Sequence, residues 1–407
     1  MALGPLELLT GVNGHARANV VDEKAIAATI AHRPAALDAS KLKYTFADTL
    51  KPVPPPESLV FGQVMTDYML VANFDPQNGW SAPEIKPYAP LTLDPTSSCF
   101  HYCTNVFEGM KAFLGPDGKA RLFRPELNVA RLARSAERTA LPPFDEKAVL
   151  SLIKSLVKLE SRWIPKPSGY SMYIRPTIIG TRPSIGVTAS DSAMLFVVMT
   201  PTGPYFRTPT ALSLLAVGES VRSWPGGTGG HKLGANYASG FLPQQMAAQQ
   251  GYQQCLWLIG ENVTEAGAMN FFVVLKRDDG DLDLVTPPLD GTILPGLTRD
   301  SCLSLAAAHP SKTTLHGLPN VRLHTHERPF TMRDLAAWCA DGKLLEAFGA
   351  GTAVIIAPVG RIGYEGKDLV LPQHKGAYGP VTRALWERIV DIQQGRVEWE
   401  GWSALCE

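Results

Sequence analysis

Residues 226–237, GGTGGHKLGANY, set a single lysine, Lys232, among glycines and other small residues. Such a loop lets backbone approach a ligand closely and strips part of the water from the amine, conditions under which a lysine can form a Schiff base with a carbonyl compound. A phosphate-binding P-loop would need Gly-Lys followed by Ser or Thr, whereas His231 precedes this lysine and Leu233 follows it. Taken alone, the segment fits a glycine-rich surface loop with a solvated lysine equally well.

Working outward, the second half of the chain alternates strands, glycine-rich turns and helices. Strands are predicted at 211–217, 255–259, 271–275 and 353–358, the last after the glycine-rich FGAGT, with a helix over 238–250. No repeat of fixed period is present, so solenoids and propellers are not supported. Upstream, PTGPYFRTP (201–209) interrupts apolar strands with Gly-Pro-type turns, and we place the domain junction there. Before it, Pro125 suits a first helical position and ELNVARLARSAER continues without a breaker. Val149, Leu152, Ile153, Leu156 and Val157 recur at helical spacing and define one buried face. Residues 171–179 and 193–200 read as strands, the second apolar enough to be buried on both faces. A strand-like stretch covers 59–69, and CFHYCTNVFEGMKAF (99–113) suits strands near a pocket. The expected division is an extension with a Pro-rich linker (1–56), a small domain (57–200), a linker (201–209) and a large domain (210–407), in a mixed α/β (α+β) fold.

A chain of 407 residues with 45% hydrophobic content can fill two cores. Lys plus Arg and Asp plus Glu each number 38, leaving no net field for nucleic acid or an anionic membrane, so small molecules are the expected partners. Six scattered cysteines are too few for a disulfide scaffold, and Cys99 and Cys103 lack the companions of a metal site. No apolar run approaches the roughly 20 residues of a bilayer span. Arg17 and Arg33 leave a mitochondrial transit peptide open, but Glu7, Asp22, Glu23 and Asp38 are acidic residues that such peptides avoid, which favours the cytoplasm.

GGTGGHKLGANY, WLIGENVTEAGAMNFF, TPPLDGTILPGLTRD and FGAGTAV, in that order and spacing, resemble the large domain of branched-chain aminotransferases, a group within the fold-type IV enzymes of pyridoxal 5′-phosphate (PLP). VFEGMKAF, RLFRPELNVARLARSA and SMYIRPTIIGT resemble the same family's small domain. The resemblance runs from about Phe61 to Gln394. It implies a smaller α/β domain, a larger one with a β-barrel-like core, PLP between them, and a homodimer. It implies transamination between hydrophobic amino acids and 2-oxoglutarate.

By the same resemblance, Lys232 carries the cofactor and moves the proton. Glu265 faces the pyridine nitrogen, which must stay protonated for the ring to accept electrons. Tyr237 bonds the cofactor's phenolic oxygen, Arg131 pairs with its phosphate, and the backbone of Leu297 and Thr298 binds that phosphate at a helix start. Thr352 supports the phosphate, while the backbone of Thr352 and Ala353 receives the substrate carboxylate. Phe61, Tyr102, Phe107, Tyr173 and Tyr205 line the side-chain pocket, and Arg175 helps bind the distal carboxylate of glutamate. Without the resemblance these aromatics read as core. Two departures stand out. Some animal members carry a redox CxxC where this chain has Val354 and Ala357, and Ala268 replaces a threonine beside the cofactor. Other fold-type IV reactions, on D-amino acids, (R)-amines or lyase substrates, are the alternatives, and a non-catalytic binding protein is a third that intact Lys232, Glu265, Tyr237 and Arg131 argue against.

Overall fold

The structure, a computed structural model, describes residues 34–205, 210–313, 315–318 and 321–407. Most of the expected extension (1–33) and part of the expected linker (206–209) lie outside the described residues.

Two sheets organise the chain. The first contains β1 (Lys43–Tyr44), β2 (Tyr68–Asp75), β3 (Gly79–Trp80), β4 (Glu84–Pro87), β5 (Asn105–Phe107), β6 (Met110–Leu114), β7 (Ala120–Phe123), β8 (Ser171–Gly180) and β9 (Ala193–Thr202). Its order is β1-β4-β2-β9-β8-β6-β7, with β3 on β2 and β5 on β8. β8 and β9 pair antiparallel along their whole length, from Ser171↔Thr202 to Gly180↔Ala193. Helices Pro125–Arg138 and Glu146–Leu159 cover the sheet, and their Val129, Leu132, Val149, Leu152, Ile153 and Leu156 share one core with Leu70, Ile174 and Leu195. The second helix starts where the Asp145 carboxylate accepts from the Ala148 amide, satisfying one of the free first-turn donors.

The second sheet contains β10 (Leu212–Val217), β11 (Gln254–Ile259), β12 (Asn262–Ala266), β13 (Met269–Lys276), β14 (Leu282–Thr286), β15 (Leu323–Glu327), β16 (Leu344–Gly351), β17 (Ile355–Tyr364) and β18 (Lys367–Val370). Pairings run β12-β11-β10-β17-β16-β13, and β13 pairs back onto β12, so six strands close on themselves. The run FFVVL in β13 is apolar throughout because both its faces are buried. Phe271, Val273 and Leu275 pack with Leu214, Leu256 and Val359, while Phe272 and Val274 pack against helices Leu297–Ala308 and Pro380–Gln393. The last strand, β19 (Ser403–Leu405), pairs with β7, returning the C-terminus of the expected large domain to the first sheet.

Three local expectations differ from the fold. Strand structure begins at Tyr68 rather than 59, because Gly62 turns the chain at φ +74°. Residues Ser98–Tyr102 form a helical turn ended by Cys103 in the left-handed region, so strands start only at Asn105. β9 alternates between buried and half-buried positions over Ala193–Val198, its Met194, Phe196 and Val198 lying on the side away from the helices, and is buried on both faces only from Met199 to Thr202.

Candidate active site

The lysine loop is clipped to the first sheet at its backbone. The Lys232 amide donates to Ser135 Oγ (2.9 Å), its carbonyl accepts from the Phe107 amide (3.1 Å), and the Gly234 amide donates to Asn105 Oδ1 (3.2 Å). Asn236 ties the loop to itself, its amide nitrogen donating to the carbonyls of Thr228 and His231, both at 2.8 Å. Gly229 has no room for a side chain, since a Cβ there would stand 2.3 Å from the Thr292 carbonyl oxygen. The short helix Ala235–Ala238 turns Tyr237 back onto the lysine, and Lys232 Nζ donates to Tyr237 Oη at 2.8 Å. The same ammonium lies 5.0 Å from the centre of the Phe107 ring.

These groups border a cavity of about 190 Å³ between the two sheets. From β12 comes Glu265, whose side chain is 3% exposed. Its Oε1 accepts from Asn270 Nδ2 and the Leu294 amide, each at 3.0 Å. Oε2 lies 2.8 Å from Arg222 Nε as an ion pair, yet no donor meets it with hydrogen-bond geometry. Burial pushes the Glu265 carboxyl above its usual range, against the opposing pull of Arg222 and the Leu294 amide.

Arg131 is held by three hydrogen bonds within the protein. Nε and Nη2 donate to the two oxygens of buried Glu108 at 2.6 and 2.9 Å, and Nη1 donates to the Pro295 carbonyl at 2.9 Å. Two of its five N–H groups remain. Beside it, helix Leu297–Ala308 begins after Gly296, and its first residues Leu297 and Thr298 border the cavity with amides that have no acceptor within the helix. Gly296 must be glycine: a Cβ would fall 2.0 Å from Asn270 Oδ1. Thr352 and Ala353 lie on the turn between β16 and β17, and Lys111 Nζ donates to the Ala353 carbonyl at 2.7 Å.

An aromatic wall closes the side nearest the first sheet. Phe61 meets Tyr173 and Tyr205 edge-on, with ring centres 4.8 and 5.7 Å apart, and the Arg175 guanidinium lies 4.7 Å from the centre of the Phe107 ring. Arg175 Nη2 also donates to Tyr173 Oη at 3.2 Å. Of the residues singled out in the sequence, Tyr102 alone is not brought to the cavity. It is partly exposed, and its hydroxyl donates to the Ile185 carbonyl.

The profile of the family described as amino-transferase class IV matches residues 105–362. The chain belongs to the class IV aminotransferases. It is 45% identical to the cytosolic branched-chain-amino-acid aminotransferase of Saccharomyces cerevisiae, over 91% of this chain and 97% of the relative. It is 46% identical to the branched-chain-amino-acid aminotransferase of Monosiga brevicollis, over 92% and 94%. Among solved structures, the branched-chain aminotransferase of Thermoproteus uzoniensis with norvaline aligns with a TM-score of 0.65 at 23% identity, covering 84% of this chain and all of that one. The PLP form of the Thermobaculum terrenum enzyme gives 0.64 at 22% identity, covering 84% of this chain and 98% of that one. At these identities the likeness shows the fold, that of the fold-type IV enzymes.

This class IV aminotransferase has the polar groups its cofactor needs. The buried Oε2 of Glu265, ion-paired with Arg222 but outside hydrogen-bond geometry, suits a protonated ring nitrogen, the open amides of Leu297 and Thr298 with the spare N–H groups of Arg131 suit a phosphate, and Lys232 supplies the amine. Sequence reasoning missed Glu108, Asn270 and Arg222. Glu108 and Asn270 sit inside quoted motifs without an assigned role, whereas Arg222 lies outside every motif and carried no signal.

Proposed function

We propose that the chain is a branched-chain-amino-acid transaminase, exchanging the amino group of L-leucine, L-isoleucine or L-valine with 2-oxoglutarate in a reversible ping-pong cycle. The products are branched-chain 2-oxoacids and L-glutamate. One observation carries the reading: a lysine amine and a buried carboxylate border the same small cavity.

When bound, PLP supplies the electron sink that lets the substrate α-carbon release its proton. Lys232 would hold the cofactor through its amine and is the group placed to carry that proton, with Tyr237 Oη orienting Nζ. Glu265, fixed by Asn270, Leu294 and Arg222, would face the cofactor's ring nitrogen and keep it protonated. Arg131, Leu297, Thr298 and Thr352 receive the phosphate, and the Thr352–Ala353 backbone receives the substrate carboxylate. Phe61, Phe107, Tyr173 and Tyr205 exclude water around a branched side chain, while Arg175 takes the distal carboxylate of glutamate. In this reading the first sheet covers the substrate and the closed strands of the second hold PLP. A homodimer is part of it, supported by Phe100, Ile185 and Val187, left 60%, 66% and 87% exposed on an adjoining helix and loop. Among the described residues no helix is long and apolar enough to cross a membrane, and the relatives include cytosolic and mitochondrial enzymes. Within this reading the compartment is the cytoplasm, with the mitochondrion, named for other relatives, as the alternative.

The test is the visible spectrum of the PLP-saturated protein. L-Leucine is expected to remove the cofactor band, 2-oxoglutarate to restore it, and Lys232→Ala to abolish turnover. A band indifferent to L-leucine would redirect the reading to D-amino acids, amines or lyase substrates.

A further inference from the structure

The turn between β16 and β17 borders two cavities. Thr352 and Ala353 line the active site, while Ala353, Val354 and Ile355 line a second cavity of about 500 Å³ that adjoins the first at Tyr205 and Ala353. Its walls include Phe113, Ile356, Tyr378 and Trp386, and no Asp or Glu is among its described lining residues.

Two cations face this space. Lys111 is 8% exposed, and among the described residues its ammonium meets the Ala353 carbonyl alone, which leaves two N–H groups. Burial lowers its pKa to about 8, with no carboxylate pulling the other way. Arg383 is exposed at the cavity's edge, where it meets the Lys375 carbonyl (3.5 Å) and the Tyr378 ring (5.9 Å). An ammonium held out of water without a counter-charge is costly to the fold, and a bound anion would offset that cost. The surrounding hydrocarbon and aromatic rings suit an apolar body on that anion. With no acid in the wall, nothing would take the α-ammonium of an amino acid, so a zwitterion is disfavoured.

We propose that this cavity is a second binding site, specific for an apolar monocarboxylate, with Lys111 taking the carboxylate and Tyr378 and Trp386 the hydrocarbon. Branched-chain 2-oxoacids, the products assigned above, belong to that chemical class. Occupancy draws Lys111 away from the Ala353 carbonyl and so alters the turn that borders the active site. The binding does not depend on the proposed reaction; only its effect on turnover does.

The test uses full-length holoenzyme and two probes, 2-naphthoate and the neutral 2-naphthamide, followed by fluorescence titration and equilibrium dialysis. One naphthoate per chain is expected, with weak or absent naphthamide binding, and inhibition that L-leucine does not relieve. Lys111→Met is expected to weaken naphthoate about tenfold or more, the loss of a charge-assisted contact. Ser168→Trp, which fills an exposed part of the cavity's rim, is expected to weaken it similarly while leaving the KM for L-leucine unchanged, and Arg383→Glu to weaken it severalfold. Ser168→Trp and Arg383→Glu are surface changes that keep the test valid if Lys111→Met fails to fold. Inhibition competitive with L-leucine and indifferent to Ser168→Trp would place the probe in the active site and overturn the proposal. Equal binding of the amide, or no saturable binding, would overturn it as well.

Discussion

Two buried carboxylates border or support the cavity from opposite sides, each paired with an arginine. Glu108, on the first-sheet side, is saturated: Arg131 Nε and Nη2, Asn128 Nδ2 and the Gly109 amide all donate to it. Although burial pushes its carboxyl up, Arg131 overrides burial and holds it below the usual range. Glu265, on the second-sheet side, is as buried, but one oxygen lacks a donor and its carboxyl is shifted up instead. The difference separates a group that serves the fold from one that awaits a ligand. A saturated pair needs nothing more, whereas a buried orphan oxygen is tolerated where something else completes it.

The comparison can be broken at either end. The largest effect is expected from Glu108→Ala, which strands the Arg131 charge and lowers the unfolding free energy by about 3–5 kcal/mol in denaturant titration. A loss below about 1 kcal/mol would mean that the pair does not hold the fold. Next comes Glu265→Gln, which keeps the shape and leaves an amide facing buried Arg222: kcat is expected to fall about 100-fold, with a smaller loss of stability than at Glu108. If stability falls and turnover does not, the two carboxylates have been assigned the wrong way round. Gly109→Ala sharpens the first-sheet side, because the new Cβ would stand 2.1 Å from Tyr173 Oη and displace that ring. The KM for L-leucine is expected to rise about tenfold with the cofactor band unchanged, as for a disturbed apolar pocket.

The smallest effect concerns a third buried carboxylate, away from the cavity. Burial, with Asp67 nearby, raises Glu160 to about 7, against the Tyr68 amide and Arg162. Between its ordinary value and 7 the folded state retains a proton that the unfolded chain has released, so stability falls as pH rises through that window. Glu108 has the opposite sign, contributing above its ordinary value and failing as pH drops. Glu160→Gln is therefore expected to raise Tm relative to wild type at pH 8 and to make little difference at pH 5. An equal gain at both values would show that charge is not the cause.

Much of this was legible from the chain. The helix over Glu146–Leu159 follows from its apolar spacing, whereas Lys232, Tyr237 and Glu265 are singled out by the resemblance of their motifs to a known family and not by composition, which fits a solvated surface loop equally well. The strand expected from 59 starts only at Tyr68, because backbone at Gly62 outweighed side-chain pattern. Tyr102 could not be separated from Tyr173 by residue type, yet one hydroxyl meets Ile185 and the other meets Arg175.

The sequence by itself determined which residues are available for the chemistry and which segments must bury a face, since both are local properties of composition and spacing. Only the tertiary structure decided that β12 closes onto β13, that Arg222 reaches Glu265, that Arg131 is spent on Glu108, and that Lys111 stands between two cavities. Those outcomes depend on strand register and on side-chain direction across contacts far apart in the chain, which no local pattern encodes.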